Sequence, residues 1–434
     1  MPHTLKHVLP VTAGVNGRNH LEIGGCDAGD LAAEFGTPLF VFCEETFRQR
    51  SREFRKAFPE SSVYYAAKAF SSLAVCALAE QEGLGMDVAS GGELHMALSA
   101  GFPPERLILH GNNKLDSDIA SAAGAGVGRI AVDNIDEIGR VQAAASLHGR
   151  RQAVLVRVTP GVEAHTHHYV QTGQEDSKFG LPLESEMASE ALRSVASSPD
   201  LELAGIHAHI GSNIFSFDPY AKTIEILFEF IGRMEREGIA IREVNLGGGI
   251  GVPYVAGDYP ARLDLLADMV RETADREASR HGIAVPELAF EPGRFLVANA
   301  VVTLYTVGVI KEVPGLRTYV SVDGGMSDNI RPALYQARYA ALLANKARQE
   351  PGRVVTVAGM HCESGDVLIR DVALPSSIER GDILAIPATG AYGYAMASNY
   401  NKMPRPPVVL VRDGRSEVVV RRETYDDLIR LDRG

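Results

Sequence analysis

Only four cysteines occur in the 434 residues: Cys26, Cys43, Cys76 and Cys362. They are far apart and form no C-x-x-C pair, so neither a zinc site nor a disulfide framework is indicated. Their scarcity fits a reducing cytoplasm. No apolar run approaches the length that spans a bilayer, which argues against a membrane partner. The opening stretch MPHTLKHVLPVTAGVNG lacks the apolar core of a secretory signal. Positive charge is also short. Lys and Arg number 43 against 55 Asp and Glu, a net charge of −12. Most of such a surface repels a polyanion, which argues against nucleic acid. A small charged substrate is not excluded, because a local site can oppose the global sign.

What is present reads as a soluble globular protein, 45% hydrophobic and 23% charged. Its length predicts two domains. From about residue 60 to 295, short apolar runs alternate with amphipathic stretches. The runs are 62–68, 85–90, 106–111, 129–134, 153–160, 203–211, 242–248 and 288–294. Most are continuously apolar, as expected of parallel strands buried on both faces. Between them lie helical signals, such as Asn134 capping IDEIGRVQAAASLHG, and Pro219 and Gly238 bounding a second helix. Eight such units predict a (β/α)8 TIM-like barrel over an open doubly wound sheet. Beyond residue 298 the texture becomes strand-rich: VVTLYTVGVIKEV, RTYVSVDGG, RVVTVAGM, DILAIPA and PPVVLVRDGRSEVVVRR. The expected fold is therefore α/β plus all-β. A barrel over 36–298 is joined to a second, mostly antiparallel, sandwich- or barrel-like β domain from 299–434, with 1–35 contributing.

In such a barrel, chemistry sits at the C-terminal ends of the strands. Lys68, Asp87, His209, Ser212, Gly247 to Gly249, Glu291, Gly293 and Arg294 all fall there. Alone, Lys68 reads as a surface lysine with a snorkelling stem. At a barrel's strand ends it gains a second reading, a half-buried amine that forms a Schiff base. NLGGGIG and EPGR close the last two strands. Each is a tight turn, and their free N–H groups also suit a phosphate. Two such turns facing a lysine make a phosphorylated aldehyde the economical cofactor.

The motifs YYAAKAF, HAHIGSN, NLGGGIG, EPGR, HCESGD and GAYGYAMASNYN occur in this order. In that they resemble the fold-type III pyridoxal-phosphate (PLP) decarboxylases. VEAHTHHYVQTGQEDSKFG, CESGD and GAYGYAMASNYN resemble the diaminopimelate decarboxylases among them. The resemblance runs from about residue 36 to 430. It implies that Lys68 carries pyridoxal 5'-phosphate, that His209 stacks on its ring, and that Glu291 faces the pyridine nitrogen. Asp87, Ser212, Gly248, Gly249, Pro292, Gly293, Arg294 and Tyr392 join the cofactor site. A Glu at the nitrogen implies decarboxylation over racemisation. Cys362 is implied as the acid that reprotonates the carbanion, reaching the site from the partner of a homodimer with shared active sites. Its neighbours Glu363, Ser364, Gly365 and Asp366 predict a wet turn.

The resemblance also implies a substrate, meso-2,6-diaminopimelate, and a product, L-lysine. Arg294, Arg331 and Tyr335 would hold the distal carboxylate, Glu363 the distal amine, and Tyr392 both substrate and phosphate. Ornithine, arginine or carboxynorspermidine decarboxylation on the same scaffold is the alternative, followed by a silent cofactor-binding barrel. RPALYQARY also reads as an amphipathic surface helix with Arg331, Arg338 and Tyr339 solvated; only Arg331 and Tyr335 are assigned function. His165, His167 and His168 lack acidic or Cys partners at ligand spacing, so no metal is expected. His207 reads as a hydrogen-bonded barrel histidine. Arg157, within VLVRV, is expected to pair with an acid such as Asp87 or Glu291.

Overall fold

The computed structural model describes residues 5–162 and 177–433. The chain divides into two compact units. One, Ser51–Gly251 with Ala261–Arg294, is a closed parallel barrel. Its strands are β1 (Ser62–Ala66), β2 (Gly85–Val88), β3 (Leu107–Leu109), β4 (Arg129–Val132), β5 (Gln152–Thr159), β6 (Leu201–His207), β7 (Glu243–Asn245) and β8 (Glu287–Phe290). Each pairs in parallel with the next, and β8 pairs with β1.

All eight strands lie where apolar runs predict them, yet each stops one to four residues before its run ends. The reason is backbone geometry. Gly111, Gly211 and Gly247 take φ of 132°, 141° and 67°, which turns the chain out of the ladder. The residues of chemical interest therefore stand on loops just past the strand ends. Inside the barrel, Ile108, Ala131, Leu155 and Ala204 pack together. Helix Ile135–Leu147 starts as predicted, with the Asn134 side chain accepting from Glu137 N. Helix Asp218–Arg236 has Pro219 in its first turn.

A buried cation ties the β3 and β4 ends together. Lys114, 3% exposed, donates to Gly111 O, Ala131 O and Glu137 Oε2 at 2.8, 2.5 and 2.9 Å. Glu137 also accepts from Asp133 N. Burial pulls the Lys114 ammonium down from its ordinary value, and Glu137 opposes that pull.

The other unit comprises Met1–Arg50, Val252–Pro260 and Phe295–Gly434. Its sheet runs Val367–Leu374, Arg353–Ala358, Arg317–Val322, Val301–Val313, Leu39–Cys43, Val408–Arg412, Arg415–Val420. The long strand Val301–Val313 also pairs with Ile383–Pro387, so the sheet forks. Two pairings are parallel and the rest antiparallel. Val41, Val302, Leu304, Ala385 and Val409 are fully buried in its core. The hairpin 408–420 turns at Asp413 and Gly414, both with positive φ, which suits its twist. Val367–Leu374 is a strand that sequence reading missed. Its burial does not alternate and Asp371 takes φ 52°, so no period-2 signal is written there.

Replacing Glu137 by Ala would leave Lys114 buried without its counter-charge. A loss of roughly 3–5 kcal/mol is expected in urea unfolding. An unchanged midpoint would show that the network is not structural.

Candidate active site

β1 ends in the short turn Ala67–Ala69, which carries Lys68. About half of its side chain is exposed, and Nζ lies 3.6 Å from Asp87 Oδ2 on β2. Asp87 is 2% exposed, and neither carboxylate oxygen has a hydrogen-bond partner. A buried carboxylate this poorly satisfied is costly to the fold.

Glu291, just past β8, is better held. Its Oε1 accepts from His110 Nε2 at 2.9 Å and from Asn245 Nδ2 at 2.8 Å, and its Oε2 from His207 Nε2 at 3.1 Å. Burial alone would raise the carboxyl; His110 and His207 outweigh it and hold Glu291 well below its ordinary value. Burial pulls His207 down to about 4, against the attraction of Glu291. His209, partly exposed, is lowered by burial and by the Lys68 charge, and its Nδ1 accepts from Gly248 N at 3.3 Å. Among the described residues, His110, His207 and Glu291 are the one group with ligand-type atoms clustered. Their direct contacts make it a hydrogen-bonded cluster.

The glycine turn after β7 has no room for side chains. A Cβ on Gly248 would fall 2.3 Å from Glu291 O, and one on Gly249 (φ 102°) 2.4 Å from Gly211 O. Gly293 abuts Ala66 and Ala69. Arg294 is buried and donates from Nη2 to Ser212 Oγ at 2.8 Å. A lysine beside an unsatisfied carboxylate, a buried ionised glutamate, a Cβ-free turn and an Arg–Ser pair fit pyridoxal phosphate. Lys68, Asp87, His209, Ser212, Gly248, Gly249, Glu291, Pro292, Gly293 and Arg294 are the residues that could hold it.

The second unit carries the remaining residues. Cys362, Glu363, Ser364 and Gly365 form the exposed turn that sequence reading expected, but Asp366 departs from it, being 4% exposed. Its carboxylate accepts from Met326 N and His361 N at 2.7 and 2.9 Å, pinning the turn's base. Cys362 N donates to Asn401 Oδ1 at 3.1 Å.

Arg331 is 6% exposed on the five-residue helix Arg331–Tyr335. Gln336 ends that helix in the left-handed region, so RPALYQARY is no surface helix. The Arg331 guanidinium lies 4.8 and 5.6 Å from the ring centres of Tyr254 and Tyr339, and Nη1 donates to Tyr339 OH. Among the described residues no carboxylate forms an ion pair with it. Tyr339 is buried, while Arg338 is solvated. Tyr335 and Tyr392 are part-buried, and Tyr392 takes φ 61°.

Arg157 pairs with an acid as expected, but the acid is Asp133, at 3.5 Å, and the guanidinium stacks on Phe179, 4.5 Å away, while Asp87 and Glu291 act on it only by charge. Its side chain on β5 is aimed at the neighbouring end of β4. His207 is hydrogen-bonded as expected, with Glu291 as its partner. His110 and Asn245 were missed, although both stand at strand ends, where the barrel rule points. Tyr254 carried no signal. His165, His167 and His168 lie outside the described residues.

Residues 44–298 match the model of the pyridoxal-dependent decarboxylase, pyridoxal binding domain. Diaminopimelate decarboxylase of Bacillus subtilis is 48% identical, over 97% of this chain and 97% of that one. That of Synechocystis is 43% identical, over 99% and 94%. The crystal structure of diaminopimelate decarboxylase from M. jannaschii in complex with L-lysine aligns with a TM-score of 0.91 at 35% identity, covering 98% of both chains.

The His207 shift fixes a pH dependence. Its value falls from 6.5 to about 4 on folding, so between those values the folded state binds fewer protons than the unfolded. Stability therefore declines as pH drops from 6.5 to 4, by up to about 1.4 kcal/mol per unit. His207→Gln keeps an N–H donor and does not titrate. It should flatten this part of the urea-stability profile; an unchanged slope would assign the effect elsewhere.

Proposed function

The chain belongs to the pyridoxal-dependent decarboxylases, and within them to the diaminopimelate decarboxylases, and from that premise we propose a role for each residue of the site. The reaction is the decarboxylation of meso-2,6-diaminopimelate to L-lysine and CO2, the last step of lysine biosynthesis. Pyridoxal phosphate supplies an electron-withdrawing ring that takes up the electron pair left as CO2 departs.

Lys68 Nζ would anchor the cofactor, and Asp87, 3.6 Å away, would keep that amine in place. Glu291 holds a proton on the ring nitrogen by staying ionised beside it. His209 lies neutral against the ring face. Gly248, Gly249, Pro292, Gly293, Ser212 and Arg294 take the phosphate end with Tyr392, using backbone N–H groups where a side chain would collide.

The observation that carries the substrate reading is Arg331. A buried guanidinium without a carboxylate partner among the described residues costs several kcal/mol, unless an anionic ligand completes it. The distal carboxylate of diaminopimelate is such a group, and Arg331 with Arg294 and Tyr335 receives it. Glu363 takes the distal ammonium. Cys362, supplied by the partner in a homodimer, returns a proton to the carbon that lost CO2. Its exposure leaves the thiol free to reach a neighbouring subunit. No helix among the described residues is long and apolar enough to cross a membrane, in keeping with a cytoplasmic enzyme.

Two outcomes test this reading. Purified protein loaded with pyridoxal phosphate should convert meso-diaminopimelate to lysine, and Arg331→Met should cut kcat/KM by on the order of 10²-fold or more, as expected for an unpaired buried partner. CO2 from ornithine or arginine alone would overturn the substrate. Lys68→Ala should abolish the visible absorbance of the bound cofactor together with turnover. Cys362→Ala should lose turnover and keep that absorbance. Persistent turnover would place the proton donor elsewhere.

A further inference from the structure

Glu291 is surrounded in a way that the reaction alone does not require. A carboxylate offers about four acceptor sites. Three are filled: two on Oε1, by His110 Nε2 and Asn245 Nδ2, and one on Oε2, by His207 Nε2. One site is left, enough for a single N–H. All three donors belong to other strand ends, β3, β6 and β7, so the carboxylate is clamped from three directions.

The protonation states follow from the same contacts. Asn245 Oδ1 accepts from Gly247 N at 2.9 Å, which fixes the amide with its Nδ2 toward Glu291. The second ring nitrogen of His207, Nδ1, is buried without a hydrogen-bond partner. A bare lone pair there is tolerable, whereas a bare N–H⁺ is not. The ring is therefore neutral with its proton on Nε2, in keeping with its lowered value. The rings of His110 and His207 meet edge to face with centres 4.7 Å apart. Asp87 Oδ1, 4.0 Å from His110 Nε2, and Arg157, near enough to act on Glu291 by charge, are the other ionised groups facing the cluster.

We infer that His110, His207 and Asn245 are positioning residues that keep Glu291 ionised as the acceptor for the cofactor's pyridine N–H. This rests on the assignment of Glu291 to that nitrogen. The physical reason is a competition. In a buried pair of a carboxylate and a pyridinium, the proton can sit on either partner, and low polarity favours the neutral pair. Donors to the carboxylate lower its proton affinity and keep the proton on the ring. The neutral donors His207 and Asn245 do this without cancelling the negative charge that attracts the ring, as Arg or Lys would. Asn245 couples this clamp to the glycine turn, because one amide holds both Glu291 and Gly247.

The test uses holoenzyme loaded with cofactor ¹⁵N-labelled at the pyridine nitrogen. In His207→Phe and His110→Phe the ¹⁵N resonance should move toward that of an unprotonated pyridine. Their kcat should fall by on the order of 10-fold, as when outer partners of a working ligand are removed, with KM within about 2-fold. His207→Gln, which restores an N–H at the same reach, should return both signal and rate. Glu291→Gln is the control. If it leaves the resonance unmoved, the assignment of Glu291 itself fails. If it moves the resonance while the Phe variants do not, only the clamp fails. A rate loss in His207→Gln with an unshifted resonance would likewise reduce the clamp to packing.

Discussion

The pairing of β8 with β1 is the constraint on which the site depends. Ala289 lies opposite Ser62, and Phe290 opposite Val63. These contacts close the barrel between segments more than 200 residues apart in sequence. Because the strands are parallel, closure also aligns their C-terminal ends. Lys68 leaves β1 and Glu291 leaves β8 on adjacent strands at the same end of the barrel. No local signal could join them; the ladder does.

Closure brings ionisable groups into a place with little water, and the structure answers each charge differently. Lys114 is met by one carboxylate and two carbonyls. Arg157 receives Asp133 and an aromatic face. Glu291 is met by three N–H donors, from His110, His207 and Asn245. Asp87 has no hydrogen bond, only long ionic contacts to Lys68 at 3.6 Å and His110 at 4.0 Å. The groups assigned to a ligand are left with capacity: one acceptor site on Glu291, two oxygens on Asp87 without a hydrogen bond, an amine half in solvent. Incomplete satisfaction is costly to the fold, so it persists where binding completes it.

The barrel was legible because buried parallel strands write continuous apolar runs and tight βα turns write glycine. The reading overran each strand for the same reason that it found the site: the chain keeps its apolar character for a few residues after the ladder ends. Val367–Leu374 was illegible because a positive φ at Asp371 breaks its alternation. Side-chain pairing was the least legible level. Arg157 could be seen as misplaced in an apolar run, but its partner depends on the tilt of one strand against another, and Asp133 gave no sign of being chosen. His110 and Asn245 look like ordinary polar ends of apolar segments. Only the distance to Glu291 makes them a set. Tyr254 is further still from sequence logic, since Val252–Pro260 follows β7 yet belongs with the sheet unit.

The division of the chain into two units separates two chemical questions. In the proposed reaction the barrel residues act on the bond next to an amine: the lysine, the glutamate and the glycine turn would serve any amino acid. Nothing among Lys68, Asp87, His209 or Glu291 distinguishes diaminopimelate from ornithine. That distinction needs a cation reserved for a second carboxylate, and Arg331, on the sheet unit, is a buried cation with no carboxylate ion pair among the described residues. Its aromatic surroundings sharpen the argument. Two tyrosine rings and one hydroxyl keep the guanidinium desolvated and oriented but do not neutralise it. A substrate lacking the remote carboxylate would leave that charge as it is in the empty protein, so it gains nothing from Arg331. A substrate bearing it completes the pair. On the proposed assignment of Arg331, the discrimination arises from a charge that the fold has left incomplete, by the same logic that leaves one acceptor site open on Glu291.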